Sequence, residues 1–239
     1  MHPEKQYMDF FTQHEDVLHR YAPAFMNALR TQALADFERT GFPSPLHEDY
    51  RYTDVAKAFA PDYGLNLTRL HVPTNPSDVF RCDVPNMSTS LYFVVNDSLY
   101  TDTLPKTSLS EEVYAGGMHA FAELHPEIAS RYYGKAADTS ADAVSALNTM
   151  LAQDGFVLYV PRGVHVERPV QLINIFRSTV DLMANRRVLI IIEPHASARL
   201  LVCDHSMDDV KFLATQVVEI FAEEGAFFDY YDLEESSAS

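Results

Sequence analysis

Cysteine is scarce in this chain. Cys82 and Cys203 are its only two, and they stand far apart among 239 residues. That is no disulfide framework, and it fits a reducing compartment. Glycine is scarce as well. There are eight, none clustered beyond Gly116-Gly117, so the chain holds no glycine-rich phosphate cradle and is not itself an ATPase of that type. No G-x-S-x-G elbow, H-E-x-x-H or C-x-x-C pair occurs. No apolar run approaches the ~20 residues of a bilayer span. The start, MHPEKQYMDFF, lacks a basic segment followed by an apolar one, so no signal peptide is expected. Basic residues are in the minority. Lys plus Arg number 18 against 34 Asp plus Glu, a formal net charge of −16, which repels nucleic-acid phosphates. The same balance serves solubility and admits a basic partner or metal cations. The expectation is a soluble, cytoplasmic protein without nucleic-acid or membrane partners.

What is present changes character near residue 153. At this length a core can bury enough apolar surface without staples. The first part is helical in pattern: Tyr7, Phe10, Phe11, His14, Val17 and Leu18 recur at helical spacing. Pro23 suits the first turn of a second helix, which would turn Phe25, Ala28, Leu29, Ala33 and Phe37 inward and end at Gly41. Thr53 or Asp54 suits the cap of a short helix, VAKAF. LYFVVNDSLY reads as a hairpin around Asn96-Asp97. A helix starts at Pro126, and Thr139 or Ser140 suits the cap of another that carries Val144, Leu147 and Leu151. These expectations place a mainly helical domain with a small strand pair at residues 1–153.

From residue 156 strands take over: FVLYV, VHV, PVQLINIF, RVLIIIE, SARLLVC, LATQVVEIF and FFDYYDL. Some are apolar on both faces, as in VLIII. Others alternate, with Ala198, Leu200 and Val202 on one face. IIIEPHASARLLV resembles EIFAEEGAFFDYY, with Glu193 and Glu223 each ending a strand before a tight corner, and YVPRGVHV is a looser third copy. A repeat of this size with two or three strands per unit is the mark of a β-solenoid, with Pro161, Gly163 and Pro169 at its corners. A β-sandwich also shows short strands at regular spacing.

Three clusters carry metal-binding residue types. His165 and Glu167 share one strand face, as do Cys203 and His205, with Asp204 opposite. His47, Glu48 and Asp49 meet in a loop. A thiolate beside an imidazole suits iron or zinc, but a site needs three or four convergent ligands. The plainer readings are an exposed ladder pair, a cysteine packed as a small apolar residue and a loop surface histidine. YRYTD, residues 50–54, reads more readily as loop packing than as a binding motif. A solenoid enzyme needs paired carboxylates across a cleft, and Asp229 and Asp232 point to opposite faces of their strand.

ALNTMLAQDGFVLYVPRGVHVERPVQL resembles the signature of the SufB/SufD family of iron–sulfur cluster assembly proteins. RRVLIIIEPHASARLLV and VVEIFAEEGAFFDYYDLEE are similar to its following coils, and GFPSPLHEDYRYTD to its SufD-type entry motif. LYFVVNDSLY and HPEIASRYYG fall where that branch has its hairpin and a helix. The resemblance covers nearly the whole chain in order. It implies an α+β fold, an N-terminal helical domain followed by a right-handed parallel β-helix, an incomplete solenoid beginning near residue 154 and running to residue 239. It further implies a non-catalytic subunit of a cytoplasmic complex with SufB-like and SufC-like (ATPase) proteins, in which iron or the cluster belongs to the complex and no cofactor to this segment. Family members usually run far beyond 239 residues, and their SufC-docking surface and cluster-proximal histidine have no counterpart among these positions. The alternative is an iron- or metal-binding protein that uses His165, Glu167, Cys203 and His205. An open solenoid end exposes strand edges, so self-association, or cover by the acidic tail, is expected there.

Overall fold

The structure is a computed structural model that describes residues 3–75, 90–101, 109–206 and 208–235. Cys82 and the last four residues of the acidic tail lie outside them. The fold is α+β, with a helical N-terminal region followed by strands. The helices are α1 (Pro3–Arg20), α2 (Ala24–Thr40), α3 (Val55–Phe59), α4 (Met118–Leu124), α5 (Pro126–Tyr132) and α6 (Ala143–Leu151), with a 3-10 turn at Glu48–Tyr50. The strands are β1 (Ser90–Val95), β2 (Ser98–Leu99), β3 (Tyr114–Gly117), β4 (Phe156–Val160), β5 (Val170–Phe176), β6 (Leu182–Ile192), β7 (Ser197–Ser206), β8 (Phe212–Ala222) and β9 (Phe227–Glu235).

Successive strands from β4 onward alternate between two sheets. One is ordered β2-β1-β5-β7-β9, the other β3-β4-β6-β8. From β4 onward the pairing is parallel: Phe156 lies beside Val188, Val170 beside Leu200, Leu182 beside Phe212 and Ser197 beside Phe227. The chain therefore crosses from sheet to sheet and returns 30 or 32 residues later, one rung on. Antiparallel hairpins, the normal currency of a β-sandwich, are confined here to β1–β2 and β3–β4. β1 and β3 join these same sheets although they precede α6; β1 pairs in parallel with β5.

The corner repeat read from sequence is a stack of tight turns. Val164, Ala196 and Ala226 donate to the carbonyls of Pro161, Glu193 and Glu223. The third residue of each turn has positive φ: 71° at Gly163, 62° at His195 and 66° at Gly225, the geometry of a type II turn. Gly163 N–H reaches Pro194 O and His195 N–H reaches Glu224 O, so each turn is hydrogen-bonded to the next. His195 is the one non-glycine in the column. A Cβ on Gly225 would stand 2.5 Å from its ring, so glycine is required beside it.

Three layers result. Between the sheets lie Phe156, Leu158, Leu172, Val188, Ile190, Leu200 and Val202 among others. The outer face of the four-stranded sheet is covered by helices, with Val157, Leu189 and Ile191 packed on Met26, Met118, Phe121 and Tyr133. Burial on both faces explains why β4 and β6 read as continuous apolar runs; all eleven residues of β6 are buried. Each such Leu or Ile contributes on the order of 2 kcal/mol.

Local signals resolve as follows. Asp54 caps α3 by accepting from Lys57 N–H, and Gly41 closes α2 at φ 59°. The cap of α6 is Asp142, accepting from Val144 and Ser145 N–H, rather than Thr139 or Ser140. Those two hydroxyls instead bond Asp36 and Asp138. In α2 the inward residues are Met26, Arg30, Ala33, Asp36 and Phe37, while Ala28 is exposed. The 3.6-residue stripe was correct for Ala33 and Phe37, and half a turn out at its start.

Asp154-Gly155 joins α6 to β4. Asp154 accepts from Met118 N–H, at the start of α4, and from Arg69. A Cβ on Gly155 would fall 2.2 Å from the Arg187 carbonyl oxygen. Gly155→Ala is therefore expected to lower stability by about 1–3 kcal/mol, the usual range for overpacking, measured by urea unfolding; an unchanged midpoint would contradict this close approach.

Candidate functional site

The four residues named from sequence as metal ligands fall in two places. His165 and Glu167 are exposed on the segment between β4 and β5. His165 bridges to Ser197, with Nδ1 2.9 Å from its hydroxyl, and the Glu167 carbonyl accepts from Arg199. A cavity of about 420 Å³ beside them is lined by Leu109, Ser110, Val113 and Arg168 as well. Cys203 and His205 are buried on the other face of β7 from Val202. Cys203 touches Gln171, whose amide nitrogen is 3.6 Å from Sγ. Six residues of strand separate Cys203 from Ser197, the partner of His165, or about 20 Å. The two pairs do not converge. Among the described residues no group of three or more His, Cys, Asp or Glu is placed to hold a metal ion. His47, Glu48 and Asp49 are all exposed, with His47 Nδ1 3.8 Å from an Asp49 carboxylate oxygen.

The YRYTD loop packs as its plainer reading implies at Tyr50, whose hydroxyl donates to Asp142 at 2.7 Å and ties the loop to the cap of α6. Burial and the adjacent Asp142 carboxylate raise the Tyr50 phenol well above its usual range. Tyr52 points outward and is 93% exposed.

Polar chemistry concentrates instead where the helical layer meets the four-stranded sheet. Arg187 of β6 and Glu219 of β8 form an ion pair at 2.9 Å, with side chains 1% and 2% exposed. Arg187 also reaches Asn148 Oδ1 and Thr149 Oγ1 of α6, and its guanidinium lies 4.6 Å over the Tyr133 ring. Glu219 accepts from the backbone N–H groups of Gly134, Ala136 and Ala137, the loop that leads from α5 toward α6. The Asn148 amide donates to Arg186 O, Thr215 O and the Thr215 hydroxyl, and that hydroxyl donates to Asn185. Arg30 of α2, fully buried, donates to Met150 O and Ala152 O and closes the end of α6. Burial lowers its pKa to about 10.

A second buried strut sits at the hairpin. Arg186 of β6 points between the sheets, where it pairs with Asp204, donates to Asn96 O and stacks 4.1 Å over Phe176. Desolvation lowers its pKa, an effect that Asp204 opposes. Arg69 bridges Asp97 and Asp154 at 3.0 and 3.3 Å. Burial holds the Asp97 carboxyl above the usual carboxylate range in spite of Arg69.

None of these residues was singled out from sequence. One signal was available: Arg186-Arg187 begins an otherwise apolar run, and a cation flanked by buried strand residues needs an anion. Glu219 stands 32 residues on, one coil period away.

Residues 1–172 match the family model of the SufBD protein N-terminal region. The chain belongs to the SufB/SufD family. It is 28% identical over 205 residues to the iron–sulfur cluster assembly protein SufD of Bacillus subtilis, covering 81% of this chain and 43% of that protein. It is 32% identical over 138 residues to an iron–sulfur cluster assembly SufBD family protein of Synechocystis sp., covering 56% of this chain and 28% of that protein. A Mycobacterium tuberculosis SufBD family protein matches at 40% over 68 residues, 8% of its length. The chain thus spans less than half of each of these relatives. Within the SufBD match lie Asn148, Asp154, Gly155 and His165; Arg187, Glu219, Cys203 and His205 fall after it.

Removing one member of the Arg187–Glu219 pair leaves a buried charge without its partner, which costs about 3–5 kcal/mol. Arg187→Met and Glu219→Leu are each expected to lose that much in urea unfolding. The double variant should lose less than their sum by at least about 1 kcal/mol, the signature of direct coupling. Additive losses would contradict it.

Proposed function

We propose that this chain is a SufD-like, non-catalytic scaffold subunit of an iron–sulfur cluster assembly complex. The match to the Bacillus subtilis protein named SufD, over 81% of the chain, carries the reading. Its partners are a SufB-like protein and a SufC-like ATPase, and its compartment is the cytoplasm. No cofactor is assigned to the chain; iron or the nascent cluster is held at the level of the complex. The rungs of β4 to β9 are the start of a right-handed parallel β-helix at residues 154–239, behind a mainly helical domain at 1–153. The parallel offset of 30 or 32 residues and the stacked type II turns support that architecture.

A stack of rungs suits a scaffold because each rung is fixed by its neighbours along a line, which gives stiffness without a closed catalytic cleft. The Arg187–Glu219 joint supports the same role, since it holds the helical layer against the rungs.

The test is co-expression with SufB-like and SufC-like proteins of the same organism, followed by sizing with light scattering. A stable complex containing this chain is expected. Its absence in every pairwise and three-way combination would contradict the scaffold role for these residues.

A further inference from the structure

β9 and β8 are the outermost strands of their sheets among the described residues. A parallel edge strand directs alternate N–H and C=O groups away from its sheet, a template for another strand. The β9 edge is also apolar: Phe227, Tyr231 and Leu233 are 61%, 54% and 42% exposed. Between the sheets, Phe228 and Tyr230 are packed only partly against the core.

Charge on this end is of one sign. Residues 212–239 contain Glu219, Glu223, Glu224, Asp229, Asp232, Glu234 and Glu235 and no Lys or Arg. Glu219 is spent internally on Arg187. The rungs behind the edge alternate in sign. Glu167, Arg199 and Asp229 follow one another across three rungs and line a cleft of about 280 Å³. Arg199 and Asp229 are register partners, and Arg199 donates to the Glu167 carbonyl. Between the sheets Asp204 has Arg186, whereas the next residue in the arginine's column is Gln216. Asp232, exposed beside Tyr230, has no cation in that column. On both faces of β9 the position one rung further calls for a cation.

We propose that the β9 edge is a docking site for an extended segment of a partner protein in which basic residues alternate with apolar ones. A second copy of this chain is the wrong partner. Two-fold pairing of β9 with itself would bring the same acidic edge against its own image, and like charges placed opposite one another on adjacent strands are destabilising. A basic strand meets Asp229 and Asp232 with its cations and Phe227, Tyr231 and Leu233 with its apolar side chains, while its backbone continues the sheet. This preference does not depend on the assembly role proposed above.

The probe is a short labelled peptide of alternating valine and lysine, followed by fluorescence anisotropy with the full 239-residue chain at about physiological ionic strength, ~0.15 M. Comparison peptides alternate valine with glutamate, or serine with lysine. The valine–lysine peptide is expected to bind at least about tenfold more tightly than either. Asp229→Asn/Asp232→Asn should weaken it by about tenfold. Glu123→Gln/Glu127→Gln, an equal change of charge on exposed helical positions, should leave it unchanged. Circular dichroism confirms that both variants remain folded, and Tyr231→Ser gives an independent variant of the same edge that should also weaken binding. Equal affinity for the valine–glutamate peptide, equal losses in the two charge variants, or no binding would overturn the proposal. So would a dimer in light scattering at low salt that Tyr231→Lys dissociates, which would make a second copy the occupant.

Discussion

The contact on which the rest depends is the buried ion pair between Arg187 and Glu219. Both side chains are almost wholly removed from water, a heavy desolvation cost that a single contact does not offset. The remaining hydrogen-bonding capacity of each is therefore taken up by the surroundings. Arg187 takes Asn148 and Thr149 from α6, and Glu219 takes three backbone N–H groups from the 134–137 loop. Satisfying two charges thus fixes where the helical layer sits on the sheet. Hydrophobic contact between Leu189, Ile191 and the helices supplies adhesion but little direction. The polar joint supplies the register.

Much of this architecture was legible in the sequence. Strand runs apolar on both faces predicted a sheet covered on both sides, and β6 is that strand. The Glu193 and Glu223 corners predicted a repeat, and the left-handed residues at 163, 195 and 225 are its geometric basis. The Asn96-Asp97 hairpin signal was local and held, with Asn96 at φ 58°. Local chemistry carries such features, because a turn or a cap depends on a few adjacent residues. Asp142 is the counterexample among caps. Thr139 and Ser140 have equal intrinsic aptitude, and tertiary bonds to Asp36 and Asp138 drew them elsewhere.

The candidate site was less legible because it is made of residues far apart in sequence. Alternation on a strand correctly placed His165 with Glu167 and Cys203 with His205, yet spacing gives no information on what lies across the sheet. Cys203 is a packed core thiol on the opposite end of β7 from His165's partner. Arg187, Glu219, Asn148 and Arg30 meet across as many as 120 residues, and only the coil period links two of them in advance. The Leu-Asn and Asp-Gly elements of the family signature acquire physical meaning here: Asn148 bonds two strands at once, and Gly155 lets β4 approach Arg187.

The central claim, that Glu219 welds the 134–137 loop and α6 to the rungs, is tested most directly by native-state amide hydrogen exchange. Gly134, Ala136 and Ala137 lie in a loop, where amides ordinarily exchange by local opening. If Glu219 holds them, their exchange free energies equal those of β8 in the native chain and fall together with those of β8 in Glu219→Gln. Fast exchange of the three amides beside a protected β8 in the native chain would contradict the account.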